Sequence, residues 1–60
     1  MTTTTLRAER RHETWTVTDE AGGVWWPDAD AEREIGEAAD PGTRAVEIAD
    51  REPMRGRWAS

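Results

Sequence analysis

Cysteine, phenylalanine and tyrosine are missing from this 60-residue chain, and so are lysine and asparagine. Without cysteine there is no disulfide framework and no thiolate to hold a metal. A single histidine, His12, leaves the nitrogen ligands short as well. Without asparagine, N-glycosylation is excluded. No apolar run approaches the length of a secretory core or a membrane span, so the expectation is a cytoplasmic protein with no membrane partner. The only serine is Ser60, no glycine-rich phosphate loop is present, and His12 stands beside Arg10 and Arg11. Nothing there assembles a nucleophile, a base and an oxyanion site, so neither an enzyme nor a cofactor is expected. Lysine, asparagine, phenylalanine and tyrosine share A/T-rich codons, which points to a GC-rich bacterial genome.

What the chain does have is four tryptophans, Trp15, Trp25, Trp26 and Trp58. They are its only very large side chains, so a core must be organised around indole rings. Each ring also brings an N–H that needs a partner once buried. Sixty residues make one domain at most, and so short a chain buries only about 60% of its unfolded surface. At a hydrophobic content of 35%, a chain that folds only on its partner is a further option.

The net charge of −5 is unevenly placed. Residues 1–12 carry three arginines against Glu9, a net +2, and residues 51–60 three against Glu52, again +2. Residues 13–50 carry eleven carboxylates against Arg33 and Arg44, a net −9. An acidic middle repels nucleic acid while leaving room for contacts from the two ends.

Residues 1–12 read as a flexible tail: a threonine run, then a charged stretch that could be a frayed helix or a lead-in to a strand. Residues 13–60 read as the folded domain. Thr14, Trp15, Thr16, Val17 and Thr18 alternate as a strand does, and Val24-Trp25-Trp26 follows after Asp19-Glu20-Ala21-Gly22-Gly23. A short polar loop ending in glycine between two apolar runs predicts a β-hairpin. Pro27 ends the second strand, and Asp28 is placed to cap a helix over 29–39, with Ala31, Ile35, Ala38 and Ala39 on one stripe. Asp28, Asp30 and Glu32 also imitate the start of a calcium loop. That pattern fails, because Arg33 stands where glycine is needed and Ala39 where a bidentate glutamate is needed.

Pro41-Gly42 predicts a stop. Thr43–Ala49 alternates with Val46 and Ile48 on one side, as a third strand would, and Met54–Trp58 offers a short fourth. The expectation is an α+β single domain: an antiparallel sheet of three to four strands with one covering helix, in the order β-β-α-β. Its core would draw on Trp15, Val17, Val24, one of Trp25 and Trp26, Ile35, Ala38, Val46, Ile48, Met54 and Trp58.

Neighbouring residues on a strand point to opposite faces, so Trp25 and Trp26 cannot both enter a one-sided core. The one left outside is a candidate partner anchor. Together with the acidic helix positions Asp30, Glu34 and Glu37, Trp25 and Trp26 define a candidate partner-binding set. The expected function is a small non-catalytic interaction or regulatory module, acting on a protein partner or on a second copy of itself. The alternative is a small nucleic-acid-binding regulator using Arg7, Arg10, Arg11, Arg55, Arg57 and Trp58. Its arginines would converge on phosphate if the two termini were adjacent in the sheet, and Trp58 would stack on a base.

Overall fold

A computed structural model describes residues 5–59. Residues 1–4, which hold most of the threonine run, lie outside the described residues, and so does Ser60. The elements run β1 (Arg7–Arg11), β2 (Thr14–Thr18), β3 (Val24–Pro27), α1 (Ala29–Glu37), α2 (Pro41–Arg51), a 3-10 turn (Pro53–Arg55) and β4 (Gly56–Ala59). The strands form one antiparallel sheet in the order β1-β2-β3-β4. The domain is therefore α+β, with a four-stranded antiparallel sheet and two helices.

The anticipated hairpin is present. Asp19 organises its loop: the side-chain Oδ1 accepts from the amides of Ala21 and Gly23 at 3.0 and 2.7 Å, while Gly22 supplies a φ of +89°. Asp28 caps α1 as its short carboxylate should, accepting from the amide of Ala31 at 2.8 Å. Ala31 and Ile35 are the residues α1 buries.

Three expectations need correction. Arg7–Arg11, assigned to a flexible tail, is the edge strand β1. It is tied to β2 by a two-residue turn at His12 and Glu13, both left-handed at φ +49° and +69°. Two positive φ values make the hairpin turn that matches strand twist, and asparagine or glycine usually takes those places. Thr43–Ala49, expected as a strand, is the body of α2. Pro41 sits at its first turn, where a missing amide costs nothing, and Asp40 caps it by accepting from the Thr43 amide at 3.3 Å. The buried positions Ala45, Ile48 and Ala49 follow helical spacing that alanines make easy to overlook. Of the expected core, Met54 lies in the 3-10 turn and is 83% exposed, and Trp58 is exposed at the sheet edge.

Register and alternation sort the strand side chains between two faces. Ala8, Arg10, Trp15, Val17, Trp25 and Trp58 lie on the face that the helices cover. Arg7, Glu9, Trp26 and Arg57 lie on the opposite, open face, together with Thr16, which is fully buried beneath its neighbours. The core is the layer between sheet and helices: Val17, Trp25, Ala31, Ile35, Ala45, Ile48 and Ala49, with Leu6, Ala8, Trp15 and Val46 at its margin.

Trp25 is the centre of that layer. It is fully buried, and its indole N–H donates to the Pro53 carbonyl at 3.0 Å. Its ring leans over Gly56, where an added Cβ would lie only 2.5 Å from Trp25 Cζ2. Glycine at 56 is thus a condition for seating the largest core side chain.

Candidate interaction surface

Burying Trp25 fixes the position of its neighbour. Trp26 emerges on the open face and is 37% exposed. β4 then sets what lies beside it. The register places Arg57 directly opposite Trp26, and the 3-10 turn before β4 holds Met54 out at the same end of the sheet. Trp26, Pro27, Asp28, Met54, Gly56 and Arg57 line a shallow groove of about 300 Å³. Arg57 makes no ion pair among the described residues. An indole, a thioether and a guanidinium on one surface are the residue types enriched where proteins bind each other.

The acidic helix positions are placed elsewhere. Asp30 and Glu37 are exposed on α1, in the layer across the sheet from Trp26. Glu34 is turned to internal use. Its Oε1 meets Arg44 Nη2 of α2, and its Oε2 accepts from Arg55 Nη2 of the 3-10 turn at 2.8 Å. Glu47 and Glu52 flank the same two arginines at 3.7 and 3.6 Å. Glu34 therefore ties three segments together, and the exposed patch around Trp26 does not include it.

The arginine-bearing ends do not converge. β1 and β4 are opposite edges of the sheet, so Arg7, Arg10 and Arg11 are separated from Arg55, Arg57 and Trp58 by two strands. Arg10 and Trp58 lie on the helix-covered face, Trp58 being 37% exposed at the sheet edge, and Arg55 is paired with Glu34. What does share a face is Arg7, Arg11, Arg57 and Trp26. Charge is separated by layer as well as along the chain. Residues 28–52 carry nine carboxylates against Arg33, Arg44 and Arg51, a net −6. The four strands carry Arg7, Arg10, Arg11 and Arg57 against Glu9, a net +3.

Comparison with protein-family models, curated proteins and solved structures found no match. The chemistry of the surface therefore has to speak for itself. Among the described residues, no group of three or more His, Cys, Asp or Glu side chains is placed to hold a metal. No described helix is long and apolar enough to cross a membrane. A second groove, of about 460 Å³, runs between β1 and the start of α2, floored by Leu6, Ala8, Gly42 and Val46. Sequence reasoning missed it, because it depends on two elements whose type was misread.

Proposed function

We propose that this chain is a small non-catalytic interaction module that engages a protein partner through Trp26, with Met54 and Arg57 as flanking contacts. One observation carries the reading. Trp25 is sealed in the core while Trp26, its neighbour, stays on the open face beside an 83% exposed methionine. A chain so poor in large apolar residues would gain stability by covering both, which favours a partner that covers them instead. Asp30 and Glu37 face the other layer and act in solubility, outside the contact.

The test is quantitative capture from cells of the native host with wild-type protein, Trp26→Ala, and an Asp30→Ala/Glu37→Ala double variant. A specific partner should be retained by wild type and by the double variant. It should fall by about thirtyfold or more with Trp26→Ala, the loss typical of a central indole anchor. Equal recovery by all three proteins refutes the reading.

A second reading has one observation in its favour: Arg7, Arg11 and Arg57 share the open face with Trp26, as a surface for single-stranded nucleic acid would require. Binding of random DNA and RNA at low and moderate salt separates the two. A steep salt dependence promotes the second reading, and no association at low salt removes it.

A further inference from the structure

We infer that β1 is a self-pairing edge through which two copies of this chain join their sheets into one of eight strands, antiparallel about a twofold axis at Ala8. This does not rest on the Trp26 reading, since β1 is the edge farthest from β4.

The edge is available. The innermost pair of the β1–β2 hairpin is Arg11↔Thr14, across a two-residue turn, so Arg11, Glu9 and Arg7 direct their backbone groups toward β2. Two side-chain bonds agree with this polarity: the hydroxyls of Thr16 and Thr18 donate to the carbonyls of Glu9 and Arg7, each at 3.4 Å. The amide and carbonyl groups of Ala8 and Arg10 therefore point away from the sheet, without a strand to meet among the described residues.

Edge strands are normally blunted with charge, and β1 is charged. Its pattern, however, blocks only some registers. Pairing about Glu9 sets Glu9 against Glu9 and Arg7 against Arg11. Pairing about Arg7 or Arg10 sets like charges directly opposite. Pairing about Ala8 alone sets Arg7 against the partner's Glu9, twice by symmetry, with small Ala8 against Ala8 at the axis. Opposite charges across a strand pair attract and like charges repel, so the sequence selects this register.

The helix side fits as well. In that register the partner's Arg10 stands opposite Leu6, on the face where the groove between β1 and α2 lies. Its aliphatic stem covers Leu6 and Val46, and its guanidinium reaches the groove rim, where Asp40 and Glu47 sit. Charge is thus complementary on both faces of the same strand pair.

Sedimentation equilibrium over a wide concentration range tests this. Wild type should dimerise reversibly, and Trp26→Ala should leave that unchanged. Glu9→Arg should weaken the dimer about tenfold or more, because both cross pairs become repulsive. The charge swap Arg7→Glu/Glu9→Arg should restore it. Ala8→Pro should abolish it by removing an amide that the β1–β2 ladder does not use, with circular dichroism confirming that each variant is folded. A wild type that stays monomeric overturns the inference. So does a dimer indifferent to Glu9→Arg and Ala8→Pro, or one that the charge swap fails to rescue.

Discussion

Gly56→Ala is expected to be among the most damaging single substitutions in this chain, although it adds one methyl group to a half-buried residue. The backbone at 56 is extended, with φ −166° and ψ −160°, so alanine adopts it without strain. The difficulty is space. The new Cβ would lie 2.5 Å from Trp25 Cζ2 and would also collide with Trp25 Cε2 and the Trp26 carbonyl oxygen. A carbonyl of the neighbouring strand cannot yield as a flexible side-chain tip does.

Either β4 must lift from β3, or the indole must tilt. Tilting draws its N–H from the Pro53 carbonyl, 3.0 Å away. Overpacking costs about 1–3 kcal/mol and a stranded buried donor about 1–3 more. Their sum, about 2–6 kcal/mol, compares with a total stability of about 3–9 kcal/mol for a chain of this length. Thermal melts followed by tryptophan fluorescence should show a fall of at least about 8 °C, at about 4–8 °C per kcal/mol. A double-mutant cycle isolates the share due to the indole: in a Trp25→Leu background the further cost of Gly56→Ala should fall to what the Trp26 carbonyl alone imposes. A wild-type melting temperature in Gly56→Ala, or equal cost in both backgrounds, refutes this account of the close approach.

Three further outcomes follow from the backbone and from the ion pairs. Glu13→Gly should stabilise by about 1 kcal/mol, because glycine takes a left-handed φ without the penalty that a side chain carries. Gly22→Ala should destabilise by a similar amount through strain alone, since nothing lies within 4 Å of the added methyl. Denaturant midpoints check both, and the opposite sign in either removes the argument. Glu34→Ala should cost about 1 kcal/mol, not more, because the paired side chains are 25–37% exposed and partly screened. That loss should shrink at high salt, and a loss indifferent to salt would show that packing is its source.

The parts of the fold legible from the residues are those where pattern and punctuation agree. Alternation over 14–18, the Asp19–Gly23 loop and the Asp28 cap give β2, β3 and the start of α1, which ends at Glu37 and leaves Ala38 and Ala39 outside the helix. β1 was hidden because its turn, His12-Glu13, carries neither glycine nor asparagine, and because an edge strand of alternating charge resembles a solvated tail. α2 was hidden because two of its three buried positions are alanines, leaving Val46 and Ile48 to imitate a strand. Pro41 served equally well as the end of one helix and the first turn of the next. At the surface, the opposition of Trp25 and Trp26 followed from strand geometry. Which of them stays outside did not, because that is decided by Pro53 and Gly56, nearly thirty residues further along.

That distance has a consequence for synthesis. While residues 53–59 are still inside the ribosome, the central indole has neither its hydrogen-bond acceptor nor its fourth strand. The emerging hairpin and helices hold an unfinished interior until those residues emerge. Closure of this domain therefore waits for residues 53–59, and each nascent copy needs shelter from its neighbours until that moment.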